Sequence, residues 1–271
     1  MSTYDEAIKK YDPVLGLETH VELSTNSKMF CGCSTEFGAE PNTQACAIDL
    51  ALPGTLPVAN EEAFRFATMF GLAVNAEIGK RSVFERKNYF YPDLPKGYQI
   101  TQHTTPICVG GAITIKGEAG DKIIQLNRIH LEEDAGKSLH AEGSSDSLID
   151  YNRAGTPLIE MVTEPEIKSS EEAAQFMTEV RKLVRYLHIC DGNMEEGSLR
   201  CDVNISVMPV GSKVFGTKVE IKNMNSIRNV QRAIEFEMKR QIDIIEAGGT
   251  ISQETRSFDA SNDTTFSIRD K

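Results

Sequence analysis

The feature that most narrows the fold of this chain is a two-residue alternation, repeated in three separated segments, between apolar side chains and side chains able to hold ions. Successive side chains of a strand point to opposite faces, so parity shows which of them stand together. Over 15–23, Leu15, Leu17, Val21 and Leu23 share one face and Glu18, His20 and Glu22 the other. Over 200–207, Cys201, Val203, Ile205 and Val207 oppose Arg200, Asp202, Asn204 and Ser206, and over 218–222 Val219 and Ile221 oppose Lys218, Glu220 and Lys222. The pattern predicts a largely antiparallel sheet with one apolar face. A solvated outer face gives the same alternation, so for a single strand chemistry and plain surface are both open.

Two further segments favour chemistry. Leu158-Ile159-Glu160-Met161-Val162 sets a carboxylate inside an apolar run, where an unpaired charge is costly, so Glu160 calls for a metal or a cation. Arg128-Ile129-His130-Leu131-Glu132-Glu133-Asp134 ends in three acids that repel unless something positive joins them. Oxygen ligands with one imidazole, drawn from different strands, suit magnesium or manganese better than a thiolate site does. Parity leaves open whether Glu132 or Glu133 faces such a site, because a bulge at the strand end exchanges them.

Helices are expected over 60–77, 169–188 and 226–247. In the middle one Phe176, Val180, Leu183 and Leu187 recur every three or four residues, and Ser169 with Glu172 forms a capping box. These helices should cover the apolar face, giving an α+β fold. Gly136-Lys137-Ser138 is not a phosphate loop, since Leu131 stands where that motif needs glycine, and no G-x-G-x-x-G motif opens a helix. Any nucleotide must be held by metal and side chains over the sheet. The break at Gly143-Ser144-Ser145-Asp146-Ser147 reads as a loop within one domain.

The six cysteines do not form the dense even framework of a small secreted domain. Cys31, Cys33 and Cys46 lie in a Gly- and Asn-rich stretch that could form a zinc knuckle over 29–50, with Asp49 in the place of a fourth thiolate; free thiols are the alternative. Cys108, Cys190 and Cys201 lack ligand spacing and read as packing residues. The net charge of −11 argues against a broad basic surface for nucleic acid, so an RNA partner must be held locally or by another chain. The polar start over 1–11 and the lack of any long apolar run lead us to expect a cytoplasmic protein without a membrane partner.

In order along the chain, Gly16-Leu17-Glu18-Thr19-His20-Val21-Glu22-Leu23, Arg86-Lys87-Asn88-Tyr89-Phe90-Tyr91-Pro92-Asp93, Glu132 through Ser138, Asn152-Arg153-Ala154-Gly155-Thr156-Pro157-Leu158-Ile159-Glu160 and Met194 through Asp202 closely resemble the B subunit family of the aspartyl/glutamyl-tRNA amidotransferases. The resemblance runs from about Val14 to Arg256. It implies a glutamine-synthetase-like cradle domain over 1–271, incomplete at its C-terminal end and without the helical and tail domains that grip tRNA in the family. It implies an ATP-dependent ligase subunit that phosphorylates the side-chain carboxylate of Glu-tRNA(Gln) or Asp-tRNA(Asn), which ammonia from glutamine then amidates. The implied partners are an amidase A subunit, a small C subunit and the misacylated tRNA; the implied cofactors are ATP and Mg2+, with Zn2+ only if the knuckle is filled. By position, His20, Glu133 and Glu160 are implied as magnesium ligands, Glu18 and Glu133 as catalytic residues, and Arg86, Lys87, Arg200 and Lys222 as phosphate-binding cations. A non-catalytic assembly fragment and a stand-alone carboxylate-amine ligase are the rival readings.

Overall fold

The computed structural model describes residues 7–117, 120–140 and 146–270. Gly143, Ser144 and Ser145 of the expected loop, and most of the polar start, lie outside them. Among the described residues the order is β1 (Tyr11–Glu22), α1 (Glu61–Ala73), β2 (Glu77–Ile78), β3 (Glu85–Asn88), β4 (Tyr98–Thr101), β5 (Cys108–Val109), β6 (Ala112–Gly117), β7 (Gly120–Glu133), β8 (Lys137–His140), β9 (Ser147–Asp150), β10 (Pro157–Thr163), α2 (Ser170–Tyr186), β11 (Leu199–Pro209), β12 (Val219–Lys222), α3 (Ile227–Glu246), β13 (Glu254–Asp259) and β14 (Thr264–Asp270).

Ten strands form one sheet in the order β14-β13-β12-β11-β1-β10-β7-β5-β2, with β6 paired to β7 beside that path. Its pairs are antiparallel except β12 with β13. Two small hairpins, β3-β4 and β8-β9, stand apart. This is the α+β architecture with a mostly antiparallel sheet and covering helices that the alternation predicts.

The apolar parity of each central strand is the buried one. Leu15, Leu17, Val21, Val203, Ile205, Val219, Ile221, Ile129, Leu131, Ile159 and Met161 are all fully buried, as are Phe176, Met177 and Val180 of α2 and Val230, Ala233 and Ile234 of α3. Helix α2 packs on β6 and α3, α3 covers β11, and α1 lies on β7. Each large buried side chain contributes at most about 1.5–3 kcal/mol, so this layer is the main source of stability.

Helix starts follow their caps. Asn60, Ser169 and Ser226 accept hydrogen bonds from Glu62 N, Glu172 N and Asn229 N at 2.9–3.1 Å. The returning bond of the capping box is displaced by one residue, because Glu172 accepts from Lys168 N and from the Lys122 ammonium. Helix α1 ends four residues earlier than expected. Asn75 adopts φ 56°, Ala76 N donates to Gly71 O and Asn75 N to Leu72 O, a closed end of the kind usually signalled by glycine. Gly71 is itself required, since a Cβ there would lie 2.5 Å from Cys108 Sγ. Among the described residues no helix is long and apolar enough to cross a membrane.

Candidate functional site

The polar parity of the central strands forms the floor of a cleft of about 900 Å3. Register fixes its contents. His20 on β1 stands opposite Glu160 on β10 and Arg200 on β11; Glu160 stands opposite His130 on β7; Glu18 stands opposite Asp202, and Asn204 opposite Glu220 on β12. Since β7 pairs with β10 without a shift from Glu133 back to Arg128, Glu132 shares the face of His130 and Glu133 takes the face of Leu131.

This corrects the expectation for Glu133. Its carboxylate accepts from the Lys96 ammonium and from Ile100 N at 3.1 Å, on the side away from His20 and Glu160. In this structure undisturbed strand alternation places Glu132, and not the Glu133 that the resemblance implied, beside His130.

Glu160 Oε2 lies 3.4 Å from His20 Nε2 and 3.3 Å from His130 Nε2, and Glu132 lies 3.6 Å from each imidazole. Thr101 also donates to Glu132 Oε2 at 3.1 Å. Nitrogen and oxygen atoms of His20, Glu132 and Glu160 fall within 4.8 Å of one another. Burial opposes charge here. Even so, hydrogen bonds from His130 and His20 hold the Glu160 carboxyl well below the usual range. In return the two carboxylates raise His20 and push His130 up to about 9.

A second cluster adjoins the first. Glu18, Asp202 and Glu220 bring one oxygen each within 4.8 Å. Asn204 donates to Glu18 Oε1 at 2.8 Å, Thr255 to Glu220 Oε2 at 2.8 Å, and the Lys222 ammonium bonds Asp202 and lies 3.5 Å from Glu220. Glu18 therefore lines the cleft with His20 but belongs to a neighbouring acid set. Both sets fit a hard divalent cation such as magnesium. They offer carboxylate oxygens from neighbouring strands, joined in the first set by the His20 imidazole with His130 beside it. Burial of His130 with no hydrogen-bond partner at Nδ1 is consistent with a site not saturated by protein groups alone.

The four expected cations divide into two kinds. Arg86 and Lys87 are exposed on β3 and line the cleft. Arg200 and Lys222 are committed to acids: Arg200 Nη2 is 2.7 Å from Asp134 Oδ2 and Nη1 is 3.6 Å from Glu22 Oε1. Burial and the neighbouring Asp134 push Glu22 up to about 8, while Arg200 and Arg153 overcome the effect of burial and hold Asp134 low.

The thiol loop lies away from the cleft. One ligand atom each of Cys31, Cys33, Cys46 and Asp49 falls within 4.8 Å of the others, a donor set that fits zinc. Asp49 also has protein partners, accepting from Cys46 N at 2.9 Å and lying 3.4 Å from the fully buried Lys28 ammonium. Burial pushes the Cys31 and Cys33 thiols up. Cys108, Cys190 and Cys201 are buried packing residues.

Sequence reasoning did not assign His130, Asp202 or Glu220 to the site. The signal was present for the latter two, which share parity with residues aligned beside Glu18 and Lys222; for His130 it was the two-residue step to Glu132.

Residues 13–271 match the family model described as the GatB/GatE catalytic domain. The chain is 60% identical over 263 residues to the B subunit of the aspartyl/glutamyl-tRNA(Asn/Gln) amidotransferase of Cellvibrio japonicus and 57% identical over 263 residues to that of Halorhodospira halophila. It is 56% identical over 271 residues to that of Paraburkholderia xenovorans; in each case 97% of this chain and 55% of the relative are covered. The chain thus spans about half the length of the curated relatives it matches. With nearly every described residue inside the match, the chain belongs to the GatB/GatE catalytic-domain family.

Proposed function

We propose that this chain is the catalytic portion of a tRNA-dependent amidotransferase B subunit, which uses ATP to activate the side-chain carboxylate of Glu-tRNA(Gln), Asp-tRNA(Asn) or both. The observation that carries the reading is the convergence of Glu132, Glu160 and His20, and of Glu18, Asp202 and Glu220, on the floor of one cleft. The relatives named above are amidotransferase B subunits, which supports the same chemistry.

His20, Glu132 and Glu160 would hold one magnesium ion and Glu18, Asp202 and Glu220 a second. Bound there, magnesium would supply positive charge to phosphate oxygens as charge develops on them. Arg86 and Lys87 at the rim hold and orient the phosphates, while Asn204 and Thr255 fix Glu18 and Glu220. A carboxylate oxygen of the aminoacyl group attacks the γ-phosphorus as the bond to ADP breaks. Ammonia nitrogen then attacks the acyl carbon, the bond to phosphate breaks, and the nitrogen loses a proton to water. Preorganised charge is the protein's contribution; no side chain becomes covalently modified. The working assembly includes the amidase A subunit, the C subunit and misacylated tRNA, in the cytoplasm.

The test is ADP release by the full-length protein with its partner subunits, with and without misacylated tRNA. Release that requires the misacylated RNA supports the reading. ATP turnover indifferent to it, or absent with all components present, sinks it.

A further inference from the structure

Helix α2 closes on a histidine, away from the cleft. His188 has φ 56°, Leu187 N donates to Leu183 O at 2.9 Å and Ile189 N to Val184 O at 3.0 Å, an ending for which glycine is the common choice. Around it Arg181, Lys182, Arg185 and His188 are exposed, and Tyr186 stands 83% exposed among them. Residues four apart share a helix face, so Arg181 lies one turn below Arg185 and Lys182 one turn below Tyr186. None of these residues lines the cleft.

The two arginines are positioned but not neutralised. A Cβ on the buried Gly192, at φ +69°, would lie 2.9 Å from Arg181 Cγ and 3.4 Å from Arg185 Cγ and Cδ, so both stems rest on this glycine. On a chain of net charge −11 acids are plentiful, and Arg153, Arg200, Arg240 and Arg256 are each paired with one. Among the described residues Lys182 has Glu179 at 2.6 Å, whereas neither Arg181 nor Arg185 has an ion-pair partner. Of the acids that follow in the chain, Asp191 and Glu196 line a separate cavity beside Glu22, to which α2 contributes no residue.

Helix-end electrostatics do not account for the group. A cation in the last turn offsets the partial negative charge of free carbonyls, and Arg185 does this for α2, yet α1 and α3 end without one. The surface also lacks the apolar centre of a protein interface: among the described residues between 150 and 205, Tyr186 is the only large apolar side chain exposed. Two free guanidinium groups beside a tyrosine match a phosphodiester strand instead, with bidentate bonds to phosphate oxygens and a further bond from the phenol. An acidic chain can hold RNA only through a local surface of this kind or through a partner.

We propose that Arg181 and Arg185, with Tyr186 beside them, hold the phosphate backbone of the RNA that carries the substrate carboxylate. This rests on the reading of an RNA-borne carboxylate and extends it to a surface away from the reacting groups.

The test is fluorescence anisotropy of a labelled, unacylated tRNA(Gln) transcript, titrated with the full-length protein and its partner subunits at several salt concentrations. Arg181→Ala combined with Arg185→Ala weakens binding by about tenfold or more near physiological salt and lowers the slope of log affinity against log salt by about 1 to 2. Arg181→Lys combined with Arg185→Lys restores the slope, because both charges return. In ADP release with misacylated tRNA, the double alanine variant raises KM and leaves kcat within about twofold, as loss of a contact away from the reacting groups requires. The surface is overturned if that variant binds the transcript within about twofold of the parent, or if Lys213→Ala, at an exposed cation beyond the far end of β11, causes the same loss. It is also overturned if the double alanine variant sheds the partner subunits while the assembled complex binds RNA normally, which makes the surface a protein contact. Binding that depends on both arginines, in a parent protein that releases no ADP, upholds the surface and removes the phosphoryl-transfer reading. RNA-dependent ADP release with an unchanged KM in the double alanine variant does the reverse.

Discussion

Two parts of the molecule bury carboxylates, and they treat them in opposite ways. Between α3 and the strands β13 and β14, Glu237 is fully buried and receives Arg240 Nη2 at 2.7 Å, Arg240 Nε at 2.9 Å, Gln241 Nε2 at 3.0 Å and Thr265 Oγ1 at 3.1 Å. Arg256 lies 3.6 Å away and also pairs with Glu254, so two acids meet two arginines. On the cleft floor the Lys222 ammonium pairs with Asp202 and lies 3.5 Å from Glu220, while Glu132 and Glu160 meet two imidazoles. The first arrangement is complete and serves as a staple. The second leans on imidazoles, whose charge is lost at accessible pH and can be exchanged for that of a cation, which is the property that suits it to a metal ion.

The largest expected effect tests the staple. Glu237→Ala leaves Arg240 and Arg256 facing a void without their shared acid, and urea unfolding should show a loss of about 3–5 kcal/mol. A loss below about 1 kcal/mol would mean that the network is ornamental. Next comes Glu160→Gln on the cleft floor. In the full-length protein with its partners it should lower RNA-dependent ADP release by about a hundredfold or more while circular dichroism shows a folded protein. Retained turnover would break the contrast, since the unbalanced region would then be no more catalytic than the balanced one.

A smaller effect sharpens the boundary between the faces. Glu132→Gln should weaken Mn2+ binding, followed by paramagnetic relaxation of water protons, by about tenfold. Glu133→Gln should leave it within about twofold, because that carboxylate serves Lys96 and Ile100 N. The reverse outcome would restore the residue that the resemblance selected.

Much of this was legible in the sequence because a strand repeats every two residues. The apolar sets of β1, β11 and β12 are the buried ones, and Glu160, isolated in its apolar run, does meet positive partners. What parity could not supply was strand order. Nothing local shows that β10 lies between β1 and β7, which brings His130 to Glu160, or that β13 runs parallel beside β12 so that Thr255 reaches Glu220. The end of α1 was hidden for a different reason: its closing residue is Asn75, which tolerates positive φ but does not advertise it as glycine would. At Glu132-Glu133 the two-residue alternation, left open at the strand end, continues without a shift and sets the two carboxylates on opposite faces.

The smallest predicted effect separates the two regions by titration. In the staple Arg240 and Glu254 should keep their charge between pH 6.5 and 9, since Arg240 is raised further above its already high range and Glu254 is held low. On the cleft floor burial disfavours a charged His130, but the Glu132 and Glu160 carboxylates outweigh burial and raise it from an unfolded value near 6.5 to about 9. A group raised on folding contributes stability that is complete below its unfolded pKa and lost as pH climbs through the folded one. Glu22, raised to about 8 by burial and Asp134, has the same sign, and its contribution is also gone by the top of this interval. Asp134 has the opposite sign, but it is held low, so its contribution is constant here. Without divalent cations, unfolding free energy should therefore fall by about 1 kcal/mol or more from pH 6.5 to 9. Saturating Mn2+ should flatten the slope, because a fixed divalent charge replaces the proton as the partner of Glu132 and Glu160. His130→Gln should reduce the cation-free slope and leave the part due to Glu22. A slope unchanged by both Mn2+ and His130→Gln would place the titration elsewhere and remove exchangeable charge as the property that distinguishes the cleft floor from the staple.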